Sequence, residues 1–448
     1  LVGSEMCIRD RNYGVQFDPS FQLNVKAYRN LFQRAWTKFD GFPSGTPPQR
    51  VLTLPNFYLN QYRVISGASD SSGTPFDLID VTNNDRKFVS EGLQTSGNYS
   101  HGLLGIPQQF SFGVRAHRDT AKRRHKPRSY LMTNGILEFD GVLLPPKTFN
   151  RGHSEALSVF LANEFYFDRL TLNAGLRLED IDGEVRNLNT GVTTYNDQKE
   201  VMPSISLLFP LSNKLNLIAG IHQGFSPSGP GATGIDPESS TNYEFGGRYK
   251  DQNTYAELFG FYSDYSNLLG RCRVSDFGCD PGQVFSGGEV TINGLEVFGE
   301  QTFEISQSSS LKIGLTYTYT KSEFQSSFLS TFSQFGAVKQ GDELPYLPEH
   351  LAKISAGLSL PNWDFSGSVK YQSEMREEPG QGPINEGIFA EDYLVTDLNI
   401  SWFATESLTV FASIKNALDE RAIISHRPFG ARPNAPLSAV IRAKYSFL

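Results

Sequence analysis

The sequence lacks the features that mark helical membrane proteins and most enzymes. No run approaches the roughly 18 consecutive apolar residues of a membrane-spanning helix. No glycine-rich phosphate loop follows a strand pattern, and no metal-ligand spacing is present. The seven histidines lie in no catalytic motif; they are His101, His117, His125, His153, His222, His350 and His426. We therefore predict a protein that is not an enzyme and needs no metal and no cofactor.

An excess of positive charge is also missing. The chain has 40 Lys and Arg residues against 48 Asp and Glu residues, and its net charge is −8 at pH 7. Proteins that bind nucleic acid usually carry a basic patch on a recognisable binding fold, and the sequence indicates no such fold. We therefore expect no nucleic-acid partner.

Aromatic residues and glycine are plentiful, and long segments alternate apolar with polar residues. The chain has 34 Phe, 19 Tyr and 41 Gly. Successive side chains of a strand point to opposite sides, so alternation predicts a strand with one apolar and one polar face. In residues 169–181 the apolar positions are Leu170, Leu172, Ala174, Leu176 and Leu178, and Thr171, Asn173, Gly175, Arg177 and Glu179 separate them. The pattern recurs in residues 215–222, 408–415 and 437–447.

Two folds produce this alternation. A soluble β-sandwich also has one apolar strand face, but its strands usually have five or six residues. The alternating segments here have ten or more residues, and a strand needs about 9–11 tilted residues to cross a membrane. A closed barrel with lipid outside and a wet lumen leaves no unpaired edge in the membrane. We predict an all-β protein, a transmembrane antiparallel β-barrel.

The connections follow the rhythm of such barrels, in which short periplasmic turns alternate with long extracellular loops. The short joins lie at residues 168–169, 211–214, 250–253 and 361–362. The long polar connections lie near residues 119–149, 182–198, 226–238, 268–288, 325–346 and 375–388. Counting the alternating segments from Phe21 to Phe447 predicts roughly sixteen or seventeen strands. No second domain and no linker is visible.

Five motifs resemble, in order, those of TonB-dependent outer-membrane receptors. They are IHQGFSPSGPG (Ile221–Gly231), PESSTNYEFGGRY (Pro237–Tyr249), INGLEV (Ile292–Val297), NALDE (Asn416–Glu420) and Phe429-Gly-Ala-Arg432 before a final strand that ends at Phe447. AYRNLFQRAW (Ala27–Trp36) and LNAGLRLEDI (Leu172–Ile181) resemble the ferric-citrate-transporter branch in particular. The resemblance covers nearly the whole chain from about Asn12.

The resemblance implies a fold and a function. Such receptors have a plug domain inside a barrel of 22 strands, so residues 12–448 would be the C-terminal part of that barrel without its plug. They import ferric chelates such as ferric citrate or other siderophores, and TonB, which engages their N-terminal region, energises the uptake. Outer-membrane lipids, lipopolysaccharide and the barrel-assembly machinery would be further partners. Phe447 would be the C-terminal assembly signal, although Leu448 follows it here.

The first residues, LVGSEMCIRD, match the in-frame translation of a transposon-type sequencing adaptor. We therefore expect residues 1–11 not to be native and the signal peptide, the plug and about five strands to precede this part of the natural protein. The alternative is a natural N-terminal tail. If Cys7 is foreign, Cys272 and Cys279 remain, in a polar loop typical of a small disulfide. The alternative is a metal-binding pair, which no His and no third Cys nearby would complete.

A basic run, residues 116–128, stands out in this acidic chain. We expect it to form an extracellular loop in which Arg118, Arg123, Arg124 and Arg128 are candidate ligand-binding residues. Arginine binds carboxylates through paired hydrogen bonds, and ferric citrate and many siderophore complexes are anionic. The alternatives are contact with lipopolysaccharide phosphates or a solvated loop.

Other functions fit the same alternating pattern. A passive outer-membrane porin has no plug and usually no more than about 18 strands. A receptor of the same family could carry cobalamin, haem or a glycan, because a fold does not determine its cargo. A soluble or cell-surface β-rich binding protein would not require detergent.

Overall fold

The computed structural model describes residues 3–272, 283–332, 335–384, 389–427 and 430–447. In chain order its strands are β1 (Gly3–Asp18), β2 (Phe21–Gly41), β3 (Ile79–Leu103), β4 (Ile106–Thr133), β5 (Ile136–Leu143), β6 (Thr148–Tyr166), β7 (Thr171–Asn187), β8 (Thr193–Pro210), β9 (Leu215–Ser226), β10 (Glu238–Lys250), β11 (Thr254–Tyr265), β12 (Leu269–Arg271), β13 (Val284–Ser286), β14 (Val290–Ser306), β15 (Ser309–Phe324), β16 (Phe328–Leu329), β17 (Ala337–Val338), β18 (His350–Leu360), β19 (Trp363–Gln372), β20 (Met375–Arg376), β21 (Phe389–Ala390), β22 (Tyr393–Phe403), β23 (Leu408–Lys415), β24 (Ile423–Ser425), β25 (Arg432–Pro433) and β26 (Ser438–Tyr445). Two short helices, α1 (Pro48–Thr53) and α2 (Leu59–Ile65), lie between β2 and β3.

One antiparallel sheet of 18 strands dominates the fold, which confirms the all-β prediction. Except for β5, which extends the far end of β4, its strands are neighbours in chain order. The short pairs β12–β13, β16–β17, β20–β21 and β24–β25 lie in the long connections. In the described residues β1 pairs only with β2 and β26 only with β23, so the sheet has two open edges. The total of 22 strands and the plug stay predictions.

The alternation assigns each side chain to one of two faces. Leu161, Leu176 and Pro203 lie opposite one another on β6, β7 and β8, and we call their side the outer face. Ser158, Glu179 and Glu200 lie on the other side of the same strands, which we call the inner face. A barrel in a membrane turns the apolar face to lipid and the polar face to its lumen.

The short joins lie at one end of the sheet and the long connections at the other. The predicted joins at residues 168–169, 211–214, 250–253 and 361–362 all coincide with hairpin turns. The first and last long connections meet, because Gly430 N donates a hydrogen bond to Gln49 Oε1 (3.0 Å). Among the described residues no helix is long and apolar enough to cross a membrane.

The predicted long connections near residues 119–149 and 182–198 are largely strand, and this corrects the sequence analysis. β4 has 28 residues and pairs without interruption with β3 from Ile79 to Leu103. At about 3.3 Å per residue such a strand is roughly 90 Å long, so its second half lies beyond any membrane. The basic run, residues 116–128, is therefore part of β4, because the pairing of β4 with β3 continues through the charged residues.

Residues 3–11 are included in β1, which pairs with β2. In this segment the alternation is reversed, since Met6 and Ile8 share the inner face with Phe32 and Asn30 and are 69% and 61% exposed. That reversal would be expected of a segment foreign to the barrel. The foreign origin of residues 1–11 concerns the source of the sequence and stays a prediction.

Candidate anion-binding site on the inner face

Three arginines form a row across neighbouring strands on the inner face. Arg34 of β2 lies opposite Arg86 of β3, and Arg86 lies opposite Arg123 of β4. We call these three residues the arginine row. Arg123 lies 18 residues along β4 from the hairpin at Gly105, which is about 60 Å at 3.3 Å per residue. The row is therefore well outside the membrane-spanning part.

In the described part of the chain no carboxylate pairs with the arginine row. Arg123 Nε donates to Asn150 Oδ1 (2.9 Å), and Arg86 Nε donates to His125 Nε2 (3.3 Å). The guanidinium of Arg34 lies 4.9 Å from the centre of the Trp36 ring, while its buried Nε has no hydrogen-bond partner. All three side chains are half-buried, so their charges are only partly solvated. An anion would satisfy the remaining N–H donors.

The adjacent row of side chains leaves further polar atoms unsatisfied. Asn84 is completely buried beside His125, and neither its amide nitrogen nor its carbonyl oxygen has a partner among the described residues. Buried polar groups without partners are rare in native proteins and mark sites where water, an ion or a ligand completes the hydrogen bonding. The amide could therefore contribute to the same ligand.

The titration of nearby groups reflects a concentration of positive charge. Burial, together with the charges of Arg86 and Arg123, lowers the pKa of His125 to about 4. Burial and the charges of Arg34 and Arg123 also lower the pKa of Arg86, and burial and Arg271 lower that of Arg123. Because Arg271 belongs to β12, an extracellular connection adds a fourth cation to the electrostatics of the site.

The neighbouring lysines show a different arrangement, with their charges neutralised. Lys147 Nζ lies 2.7 Å from Asp40 and 3.7 Å from Asp80, and Lys38 lies 3.3 Å from Asp40. Such pairs fix the connection before β6 to β2 and β3. The arginine row has no such carboxylate partner among the described residues.

Only one of the four predicted ligand-binding residues, Arg123, lies on the inner face. Arg118, Arg124 and Arg128 occupy alternate positions of β4 and therefore lie on the outer face with Phe112 and Val114. Arg118 pairs with Glu155 (2.9 Å), and Arg124 and Arg128 pack on Phe149 and Phe139. The sequence analysis expected all four arginines in one extracellular loop. The structure instead places them in β4, three on the outer face and Arg123 on the inner face.

The sequence analysis missed Arg34 and Arg86. Alternation gave no clear signal for either, because Gln33 beside Arg34 and Asp85 and Lys87 beside Arg86 put polar residues on the opposite face as well. The odd or even position of a residue along its strand gives its face. Only the pairing of three separate strands shows that the arginines share a row.

The predicted disulfide falls partly outside the described residues. Cys272 follows β12 and is 2% exposed, whereas Cys279 lies outside the described residues. The bond therefore stays a prediction.

A large cavity of about 1350 Å³ lies elsewhere, between β9 and β15. Its lining includes the outer-face residues Leu217, Phe245, Leu258, Leu295 and Tyr319. Glycines at outer-face positions, such as Gly299, leave open space there. A cavity on this apolar side faces lipid, so we do not assign it to a polar cargo.

Comparison with known proteins gives one family. Residues 8–417 match the model of the β-barrel of TonB dependent receptor-like proteins. The iron-regulated outer membrane virulence protein of Vibrio cholerae serotype O1 is 26% identical over 195 residues, which are 42% of this chain and 28% of that protein.

Solved structures show the same fold. The ferric citrate transporter FecA has a TM-score of 0.74 at 16% identity, over 100% of this chain and 62% of that one. The siderophore receptor PiuA from Acinetobacter baumannii has a TM-score of 0.75 at 14% identity, over 99% and 64%. The copper transporter OprC has a TM-score of 0.65 at 14% identity, over 99% and 65%. The chain thus spans less than two-thirds of the length of these three proteins.

Proposed function

The chain belongs to the TonB-dependent receptor β-barrel family, a family of bacterial outer-membrane transporters and not of enzymes, and on that premise we propose that it takes up an anionic ferric chelate. Ferric citrate or a related siderophore complex is the proposed cargo. The natural protein would bind the chelate at the extracellular end of the barrel and release it into the periplasm.

The arginine row is the observation that carries this proposal. Three half-buried guanidinium groups lie side by side without a carboxylate in the described part of the chain. Guanidinium groups bind carboxylates through pairs of charge-assisted hydrogen bonds, and they keep their charge at every physiological pH. A carboxylate-rich iron chelate supplies the negative charge and the planar acceptors that this row needs.

We propose TonB as the energy-coupling partner, acting on a plug that precedes these residues in the natural protein. The proposal is supported by family membership and by the solved receptors, of which this chain spans less than two-thirds. Phe447 is proposed as the signal for the barrel-assembly machinery. Its ring lies 4.9 Å from that of Tyr445, and its side chain is 90% exposed.

Other cargoes are the main alternative. A copper transporter shares the fold, and cobalamin, haem and glycans are further candidates. An arginine row that has no carboxylate partner among the described residues disfavours a free cation and gives a neutral glycan no counter-charge. A passive porin differs from a TonB-dependent receptor in that its transport needs no energy coupling.

Iron uptake by cells tests the proposal. The complete natural gene is expressed in a Gram-negative strain without its own citrate and siderophore receptors, and uptake of radioactive iron is measured. We expect uptake of ferric citrate, or of another anionic chelate, only when TonB is present. Uptake that persists without TonB would indicate a porin, whereas TonB-dependent uptake of cobalamin or haem alone would replace the proposed cargo.

A further inference from the structure

Besides β1 and β26, the short strand β5 forms a local edge at the far end of the sheet. β5 follows β4 through the turn at Asn134-Gly135, and in the described part of the chain it pairs with β4 alone. Thr133, the last residue of β4, lies 28 residues from Gly105 in the opposite hairpin, which is about 90 Å along the strand. For a strand tilted by 40° this is roughly 70 Å in height, whereas a bilayer with its headgroups is only about 40–45 Å thick. The edge therefore lies well outside the membrane.

The second side of β5 has unpaired backbone groups. Outside its pairing with β4, the backbone of residues 136–143 makes one hydrogen bond within the described residues, from Val142 N to Asp140 Oδ1 (2.8 Å). An edge strand presents N–H and C=O groups of alternate residues outward, and another extended chain pairs with them in register. Lysine and proline usually protect such an edge, and β5 contains neither. Its regular part is Ile136–Phe139, because the pairing is irregular beyond Phe139.

Apolar side chains line β5 although it lies beyond lipid. Leu137, Phe139 and Leu143 share the outer face with their partners on β4, and they are between 45% and 71% exposed. Ile136 lies on the inner face and is 64% exposed. Adjacent apolar side chains that are exposed away from the membrane mark a surface for another protein.

Charge defines the chemistry of the partner. Glu138 and Asp140 are the charged residues of β5, and neither forms an ion pair in the part of the chain that the structure describes. The guanidinium of Arg128 lies 5.6 Å from the centre of the Phe139 ring, but Arg128 belongs to β4, on the side of β5 that is already paired. A strand on the free side would place its own Lys or Arg beside the two carboxylates, and opposite charges on neighbouring strands stabilise their pairing.

We propose that the free edge of β5 binds an extended segment of another protein outside the cell, in which apolar residues alternate with Lys or Arg. Backbone hydrogen bonds would provide the affinity of this added strand, and its side chains the specificity. A sugar would not satisfy the N–H and C=O groups of β5 in strand register. Thr133 lies ten residues beyond Arg123, roughly 33 Å along β4, so the proposal is independent of the cargo at the arginine row.

The test measures peptide binding to the complete natural receptor, purified from outer membranes in mild detergent. The probe is a fluorescent nine-residue peptide that alternates valine with lysine, and fluorescence anisotropy gives its affinity. Two further probes carry N-methyl groups on all valines or on all lysines. Each of them loses the N–H donors along one edge of the peptide and keeps the charge.

Two receptor variants test the charge of the edge. Glu138→Gln/Asp140→Asn removes both carboxylates from β5 and keeps an oxygen that can accept the hydrogen bond from Val142. The matched control, Asp168→Asn/Glu406→Gln, removes the same charge at the short joins on the opposite end of the sheet.

We expect saturable binding of the unmodified peptide, about tenfold weaker binding to the Glu138→Gln/Asp140→Asn variant, and unchanged binding to the control. At least one N-methylated probe should also bind about tenfold more weakly. Hydrogen exchange at residues 136–143 should slow in the complex. The proposal would be overturned by a lack of saturable binding, by equal affinities of all three probes, by an equal loss in both variants, or by protection that leaves residues 136–143 unchanged.

Discussion

Arg86 and Arg123 lie directly opposite each other on the inner faces of β3 and β4, and no carboxylate in the described part of the chain pairs with either. Two like charges in this position destabilise the pairing of the strands. A stable protein tolerates such a pair where an anion compensates it. This relationship is the reason for proposing a cargo site on the inner face.

The first prediction concerns the arginine row. Arg86→Gln/Arg123→Gln should weaken the binding of ferric citrate, or of the related anionic chelate that the receptor transports, about 100-fold. The reason is that two charge-assisted contacts of roughly 1.5 kcal/mol each are lost. Isothermal titration of the detergent-solubilised receptor measures this change. Arg124→Gln, which removes the same charge from the outer face of the same strand, should bind normally. A similar loss in Arg124→Gln would show that overall charge, and not the row, attracts the chelate.

A second prediction follows from His125. Its pKa is about 4 in the folded protein, below the usual value of about 6.5, so between these values the unfolded chain binds more protons. The folded state should therefore lose stability as the pH falls from about 6.5 to 4, by about 3 kcal/mol in all. Thermal unfolding at pH 7 and pH 4.5 checks this. His125→Gln should be less sensitive to acid than the wild type, and an equal sensitivity would contradict the assignment.

A third prediction concerns the extracellular connections. Phe324 is completely buried, with its ring centre 5.8 Å from that of Phe328 and 5.9 Å from that of Phe335. Phe324→Ala should destabilise this cluster by about 3–5 kcal/mol, because the substitution leaves a large cavity. Limited proteolysis should then cleave residues 325–349 faster. Leu329→Ala is the control, since Leu329 is 85% exposed, and it should be cleaved at the wild-type rate.

A fourth prediction concerns the ion pair between Arg118 and Glu155 on the outer face. Arg118 and Glu155 are each about half exposed, so their pair should contribute less than about 1 kcal/mol to stability. A double-mutant cycle with Arg118→Ala and Glu155→Ala measures the coupling energy. Arg118→Ala should also leave chelate affinity unchanged, and a large loss of affinity would restore Arg118 as a ligand-binding residue.

The fifth prediction concerns Cys272 and Cys279. If they form a disulfide, alkylation of the denatured, unreduced chain of the printed sequence should label Cys7 alone, and reduction should expose two further thiols. A loop this short stabilises the fold by roughly 2–3 kcal/mol through the unfolded state. Labelling of all three cysteines before reduction would show that the bond is absent.

The sequence alone determined the strands and their faces wherever apolar and polar residues alternate. The alternation at residues 169–181 predicted both faces of β7, and the short join at residues 168–169 predicted the hairpin between β6 and β7. This information is local, because each side chain of a strand points opposite to its neighbour. The motifs that resemble TonB-dependent receptors gave the family for the same reason, since they are short and contiguous.

Only the tertiary structure decided which charges act together. Arg34, Arg86 and Arg123 come from three strands whose alignment depends on the pairing of the whole sheet, and a shift by one residue would move each to the other face. The same alignment separated Arg123 from Arg124 and extended β4 through the basic run. Register is a property of pairs of strands, so a single alternating segment cannot reveal it.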